Sequence, residues 1–185
     1  MNTANLVTLT RIALIPVIVG LYYSGLPWSH FFATAVFIVA SVSDWLDGYL
    51  ARKLNQTSEF GAFIDPVADK LLVAVILIML VTNHGYLLLA TSIIIAREIL
   101  VSALREWMAS LGKRATVAVA FSGKLKTTVQ MIAIGALLLV KDGMPAILWQ
   151  FGFVLVNIAA LLSLWSMFQY FKKAWAVLFP PTPVA

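Results

Sequence analysis

The sequence contains no cysteine and only two histidines among its 185 residues. Without cysteine the chain has no disulfide, no thiol nucleophile and no thiolate metal site, and two histidines disfavour a zinc site built on imidazoles. Charged residues are also scarce, at 11%, whereas hydrophobic residues reach 62%. In soluble domains about a quarter of the residues are charged and about a half are hydrophobic. The composition therefore excludes a disordered chain, a soluble nucleic-acid-binding protein and an ordinary water-soluble enzyme, and it predicts one membrane-embedded domain over residues 1–185.

Six apolar stretches, separated by short polar or Gly/Pro breaks, are long enough to cross a bilayer, which takes about 20 residues. They predict an all-α integral membrane protein with six transmembrane helices, at residues 12–27, 31–50, 62–82, 86–107, 121–140 and 146–171. Residues 2–10 are too short and too polar to span. They predict a short N-terminal helix that lies at the membrane interface.

The basic residues collect at one set of predicted helix ends. If the N-terminus is cytoplasmic, eleven of the thirteen Lys and Arg residues lie at inner ends, Lys141 lies in an outer loop, and Arg97 lies within the fourth stretch. Cytoplasmic loops carry an excess of Lys and Arg. We therefore predict a multi-pass protein of the cell (inner) membrane with both termini in the cytoplasm, and we attribute the net charge of +5 to this asymmetry.

Five of the eight acidic residues lie between positions 44 and 69, and four of these five are aspartates. Asp44 and Asp47 are spaced i, i+3, and Asp65 and Asp69 are spaced i, i+4, so each pair shares one helix face. The polar segment 53–60 between them suits a cytoplasmic turn. Two antiparallel helices would then present two carboxylate pairs to each other at the inner edge of the membrane.

Four carboxylates held close together near lipid need a cation to offset their charge. Carboxylate oxygens suit hard cations such as Mg²⁺ or Mn²⁺, and four of them can hold two ions. Two such ions can clamp a pyrophosphate and assist an in-line displacement at phosphorus. Gly48 and Ala51 leave room for a ligand, and Arg52 is placed to pair with a phosphate oxygen. For a single intramembrane Asp, a water-filled path or charge balance would explain the residue as well, but the spacing of four disfavours that interpretation.

This pattern resembles the signature of the CDP-alcohol phosphotransferase family. The match covers eight fixed residues over 26 positions, with the spacing intact: Asp44, Asp47, Gly48, Ala51, Arg52, Gly61, Asp65 and Asp69. The resemblance implies a six-helix membrane fold that forms a homodimer, two divalent cations, Mg²⁺ or Mn²⁺, and CMP as the leaving group. Further segments resemble the members that join CDP-diacylglycerol to sn-glycerol 3-phosphate, at residues 5–11, 65–70, 96–99, 103–108 and 123–127.

The resemblance also implies roles for individual residues. The metal ligands would be Asp44, Asp47, Asp65 and Asp69, and Asp69 would also be the general base that takes the proton of the acceptor hydroxyl. CDP-diacylglycerol would be bound around Asn5, Thr8, Arg11, Asp44, Gly48, Ala51, Arg52 and Gly61. The phosphate of glycerol 3-phosphate would be bound by Arg97, Arg105, Lys124 and Lys126.

Arg97 also has a physical argument of its own. It lies inside an apolar stretch, where an unpaired guanidinium is costly. It therefore either binds an anionic ligand or pairs with Glu98 or a neighbouring helix. Adjacent helical residues point in different directions, which disfavours a direct pair between Arg97 and Glu98.

Three other functions fit part of the sequence. An enzyme of the same family could use another acceptor, such as inositol phosphate or serine, and the signature alone does not separate these. A membrane prenyltransferase also uses Asp-rich helices, but it needs an acid four residues after the second Asp, where this chain has Ala51. A small transporter could use buried carboxylates, but inverted repeats and broken helices, which would favour it, are not evident.

Overall fold

The computed structural model describes residues 3–54, 59–113, 116, 121–141 and 143–179, and for the helical residues 3–7, 44–54, 59–60, 62, 121–122 and 124 it describes the backbone alone. Within these ranges the chain is all-helical. The six α-helices are α1 (Thr3–Tyr23), α2 (Ser29–Leu54), α3 (Glu59–Asn83), α4 (Leu88–Ser110), α5 (Phe121–Leu139) and α6 (Ala146–Leu178), with one 3₁₀ turn at Gly85–Leu87 before α4.

The helices pack into one bundle around a shared apolar core. α1 packs against α2 and α3, α6 packs against α4 and α5, and contacts between α2 and α5 and between α3 and α4 join the two groups. The core contains fully buried side chains from several helices, including Ile18, Phe37, Ile76 and Ile134. A smaller cluster, with Met108 of α4 and Tyr170 of α6, joins α4 and α6 at the ends that we predict to be cytoplasmic.

Local sequence explains where α1 and α4 end. Gly25 has φ of 69° and Gly112 has φ of 70°, a left-handed conformation that glycine adopts without steric cost. After α4, the backbone N–H of Lys113 donates to the Met108 carbonyl at 2.9 Å and that of Gly112 donates to the Ala109 carbonyl at 3.0 Å. This pair of bonds is a Schellman motif, which satisfies carbonyls at the helix end.

The predicted boundaries differ most from the structure at the first and the last helix. The N-terminal residues do not form a separate interfacial helix, because the chain from Thr3 to Tyr23 is a single helix that continues through Pro16. The last helix does not end at residue 171, as predicted, but runs to Leu178. Ala174 is fully buried in the cluster with Tyr170 and Met108, so packing against α4 extends α6 beyond its apolar stretch.

The exterior of the bundle is apolar, as lipid contact requires. Large hydrophobic side chains such as Ile78, Ile99, Leu161 and Phe168 are exposed. In the part of the chain that the structure describes, two helical stretches, Gly85–Ser110 and Ala146–Leu178, are long and apolar enough to cross a membrane, and shorter apolar helices lie at Thr8–Tyr23, Ser29–Ser43 and Leu125–Leu139. These features indicate a membrane protein.

Candidate active site

A polar cavity of about 250 Å³ opens between α1, α2, α3, α4 and α5. Among the charged side chains that the structure describes in its lining, four are cationic and two are carboxylates: Arg11, Lys70, Arg105 and Lys126, and Asp69 and Glu98. The polar residues Ser41, Thr127 and Gln130 complete the lining, together with apolar residues of α2, α3 and α5. A concave site with an excess of positive charge suits an anionic ligand.

Two residues of α1 hold two carboxylates of α3. The hydroxyl of Thr8 donates to Oδ1 of Asp65, and Nη1 of Arg11 donates to Oδ1 of Asp69 at 2.7 Å. The two contacts form side by side because residues three apart on α1 and residues four apart on α3 each lie on one helix face. The Arg11 side chain is 2% exposed, whereas that of Asp69 is 43% exposed. Arg11 therefore fixes Asp69 from the protein side while the carboxylate remains open to the cavity.

The cluster of four carboxylates stays a prediction. Asp65 and Asp69 lie on one face of α3, as the spacing predicted, but the side chains of Asp44 and Asp47 lie outside the described residues. Among the residues that the structure describes, no group of three potential metal ligands occurs. The side chains of Asn5, Ala51, Arg52 and Lys124, together with Gly48, also lie outside it, and Gly61 is buried.

Lys126 and Arg97 share one carboxylate. Lys126, which is 2% exposed, donates through Nζ to Oε1 of Glu98. Nη1 of Arg97 lies 3.3 Å from the same oxygen. The expectation that Arg97 and Glu98 would not pair directly is wrong, because the long guanidinium side chain reaches around the helix to its neighbour.

Arg97 also joins α4 to α6. Its Nε and Nη2 donate to the hydroxyl of Ser166 at 3.2 and 2.9 Å, and its guanidinium carbon lies 5.8 Å from the centre of the Tyr170 ring. Arg97 does not belong to the residues that line the cavity, whereas Arg105 and Lys126 do. Among the predicted phosphate-binding residues that the structure describes, Arg105 and Lys126 therefore reach the cavity directly, and Arg97 reaches it through Glu98.

Sequence reasoning missed three polar residues of this region. Glu98 was considered only as a partner of Arg97, although an acid within an apolar stretch is itself a signal of function. Lys70, which donates to the hydroxyl of Ser102 at 2.5 Å, and Gln130 also line the cavity. Gln130 follows Lys126 by one helical turn, a spacing that could have identified it.

Two apolar grooves adjoin the polar cavity. A groove of about 270 Å³ between α3 and α4 shares Lys70, Val73 and Glu98 with it. A groove of about 450 Å³ between α2 and α5 shares Ser41 and Met131 with it. The site thus joins a charged chamber to surfaces that suit hydrocarbon chains.

Comparison with known proteins identifies the class. Residues 1–178 match the family model described as CDP-alcohol phosphatidyltransferase, and the chain belongs to this family. The predicted family membership is thereby confirmed, and the chain is a transferase of phosphatidyl groups and not a prenyltransferase or a transporter. Enzymes of this family generally use divalent metal ions.

Among its relatives is the CDP-diacylglycerol–glycerol-3-phosphate 3-phosphatidyltransferase of Escherichia coli (strain K12). The two chains are 50% identical over 179 residues, which cover 95% of this chain and 96% of the relative. Proteins of the same name in Shigella flexneri serotype 5b (strain 8401) and Shigella sonnei (strain Ss046) match with the same identity and coverage.

Proposed function

We propose that this enzyme transfers the phosphatidyl group of CDP-diacylglycerol to sn-glycerol 3-phosphate, giving phosphatidylglycerophosphate and CMP. The observation that carries the proposal is the cavity, in which the carboxylate of Asp69 and the cations of Arg105 and Lys126 line one chamber. A phosphorylated acceptor carries about two negative charges near neutral pH, which the excess of cationic side chains matches. The relatives at 50% identity carry the name of this reaction.

The residues of the chamber suit an acceptor that enters from water. Arg105 and Lys126 would bind the phosphate of the acceptor by charge-assisted hydrogen bonds. Its hydroxyl would then lie toward Asp69, which Arg11 holds in place. The apolar grooves on either side would take the acyl chains of CDP-diacylglycerol, so that the lipid stays in the bilayer while its diphosphate enters the chamber.

In the reaction, Asp69 would act as general base. Its carboxylate takes the proton of the acceptor hydroxyl as the hydroxyl oxygen attacks the β-phosphorus of CDP-diacylglycerol. The new P–O bond forms while the bond between that phosphorus and the oxygen of CMP breaks, and CMP leaves with the electron pair. Cationic side chains near the phosphates would stabilise the charge that develops on the departing CMP.

Two divalent cations, Mg²⁺ or Mn²⁺, would be held by Asp44, Asp47, Asp65 and Asp69. The described donors fit this assignment, since Asp65 and Asp69 offer carboxylate oxygens on one face of α3 and Asp69 is open to the cavity. When bound, the cations would supply charge neutralisation at the diphosphate. Asn5, Thr8, Arg11, Gly48, Ala51, Arg52 and Gly61 would surround CDP-diacylglycerol, and Lys124 would add to the acceptor site.

We also propose how the enzyme is arranged in the membrane. All six helices would span the bilayer as one domain, with both termini and the polar cavity at the cytoplasmic face and with two copies forming a homodimer. Arg11, Arg105 and Lys126 line the cavity, and all three belong to helix ends that the charge asymmetry assigns to the cytoplasm. A cytoplasmic opening would admit the water-soluble acceptor.

The decisive experiment measures CMP release from CDP-diacylglycerol by the detergent-purified protein. We expect release with glycerol 3-phosphate and Mg²⁺ or Mn²⁺, none with inositol phosphate or serine, and loss of activity on chelation. Release with a different acceptor would retain the chemistry and overturn the substrate. Folded protein that releases CMP with none of the acceptors would overturn the proposed function as a whole.

The same assay tests the general base. Asp69→Asn keeps the shape of the side chain but removes its basicity, so we expect turnover to fall by at least about a hundredfold. Thermal unfolding and gel filtration of the variant would establish that it is folded. Near-normal turnover in the folded variant would contradict the assignment of Asp69.

A further inference from the structure

Gln130 lines the cavity, one turn of α5 beyond Lys126. Its side chain is 2% exposed and lines the same chamber as Asp69 and Arg105. Residues four apart on a helix have Cβ atoms about 5–6 Å apart. Gln130 therefore lies on the same face of α5 as Lys126, one turn farther from the end of α5 that we predict to be cytoplasmic.

The amide oxygen of Gln130 is buried and has no hydrogen-bond partner within the described residues. Three other polar side chains of the cavity direct a donor elsewhere: the hydroxyl of Ser41 donates to the Phe37 carbonyl at 2.8 Å, that of Thr127 donates to the Gly123 carbonyl at 3.0 Å, and Lys126 donates to Glu98. A buried acceptor without a donor destabilises a protein, so such groups are uncommon unless a ligand completes them.

We propose that Gln130 binds the non-reacting secondary hydroxyl of the acceptor and thereby selects a glycerol phosphate. This inference rests on the proposed function. With the acceptor phosphate at Arg105 and Lys126 and the attacking primary hydroxyl at Asp69, the secondary hydroxyl lies between them and needs an acceptor. The oxygen of Gln130 supplies one without adding negative charge beside the phosphate. A site that is built to accept a hydrogen bond from a substrate hydroxyl rejects an analogue that lacks it.

The test compares glycerol 3-phosphate with 3-hydroxypropyl phosphate, which lacks only the secondary hydroxyl. We expect the wild-type enzyme to favour glycerol 3-phosphate in kcat/KM by about ten- to a hundredfold. In Gln130→Met, kcat/KM for glycerol 3-phosphate should fall by a similar factor, while that for 3-hydroxypropyl phosphate stays within about threefold. The preference should thus collapse toward one.

Two further variants make the comparison specific. Arg105→Ala, at the phosphate, should lower kcat/KM for both substrates by the same factor. Gln150→Met, an identical change at an exposed position of α6, should alter neither. The melting temperature of Gln130→Met should equal or exceed that of the wild type, because the change removes an unsatisfied buried oxygen, whereas a packing role for Gln130 would lower it.

The assay distinguishes a failure of the proposed function from a failure of the Gln130 assignment. If wild-type protein does not transfer to glycerol 3-phosphate, the proposed function and the role of Gln130 fall together. If transfer occurs but Gln130→Met retains the preference, or loses activity equally with both substrates, the Gln130 assignment alone is overturned. Gln130→Asn, which shortens the side chain by one carbon, is measured in the same way and should also reduce the preference.

Discussion

At the scale of single residues, the carboxylate of Glu98 joins two buried cations of different helices. One oxygen binds the ammonium of Lys126 from α5 and faces the guanidinium of Arg97, which in turn binds α6 through Ser166. Both cations are almost fully buried, whereas Glu98 is partly exposed toward the cavity. Glu98 therefore determines whether two buried positive charges are compensated.

Neutralising this carboxylate should destabilise the protein. Removing one partner of a buried ion pair leaves a charge uncompensated and costs about 3–5 kcal/mol, and the partial exposure of Glu98 reduces that to about 1–3 kcal/mol. We expect Glu98→Gln to lower the stability in detergent by this amount. The double variant Glu98→Gln with Lys126→Met should recover part of the loss, because it removes the buried charge as well.

The control for Glu98→Gln is the same change at an exposed glutamate of the same helix. Glu106 is exposed on α4, so Glu106→Gln should change the stability by no more than about 0.5 kcal/mol. Additive effects of the Glu98 and Lys126 changes in thermal or denaturant unfolding would show that the two side chains are not coupled, contrary to the structure.

Helical spacing predicts which residues of one helix share a face. Asp65 and Asp69 were placed on one face by their interval of four, and they do lie together against α1. The partners Thr8 and Arg11 come from a segment more than fifty residues away, and no local spacing specifies such a contact. The directions of the Cβ atoms disfavoured the Arg97–Glu98 pair, but the guanidinium is long enough to reach the neighbouring carboxylate.

At the scale of helices, small side chains line the buried side of α6, which packs against α4 and α5. The buried side of α6 includes Gly152, Ala159, Ala160 and Ser163. Small residues at such positions let helices pack closely in a membrane, where apolar surface alone does not drive association. Hydropathy predicted that these helices exist, but it did not predict their ends, because packing against α4 and not apolar length determines where α6 stops.

Gly152 offers a direct test of this packing. A Cβ at Gly152 would lie 2.7 Å from Cγ and 2.8 Å from Cδ2 of Leu137, which is fully buried on α5. Gly152→Ala should therefore push the two helices apart and lower the stability by about 1–3 kcal/mol. The measurement is thermal unfolding of the purified protein in detergent.

Gly135 provides the control within α5. A Cβ there meets no atom within 4 Å, so Gly135→Ala should leave the stability unchanged or raise it by up to about 1 kcal/mol through helix propensity. Equal melting temperatures for Gly152→Ala and Gly135→Ala would mean that the close contact between α5 and α6 does not contribute to stability.

At the scale of the whole molecule, the distribution of Lys and Arg and the position of the cavity indicate the same cytoplasmic side. The helix ends that contribute Arg11, Arg105 and Lys126 to the cavity are those predicted to be cytoplasmic from the distribution of Lys and Arg. Composition, hydropathy and the family signature were sufficient to predict an all-helical membrane protein and its family. The cavity itself could not be predicted, because its walls come from five helices and depend on how these pack.

The absence of cysteine makes the predicted topology directly measurable, since single cysteines can be introduced without removing any. Tyr86 and Met144 are exposed in connections that we place outside, and Lys113 and Lys173 are exposed at ends that we place inside. In sealed right-side-out vesicles, a membrane-impermeant maleimide should label Tyr86→Cys and Met144→Cys at once, but Lys113→Cys and Lys173→Cys only after the vesicles are opened. The unmodified chain gives the background. The opposite labelling pattern would reverse the orientation and place the polar cavity away from the cytoplasmic acceptor. Labelling of two neighbouring connections from the same side would show that the helix between them does not span the membrane.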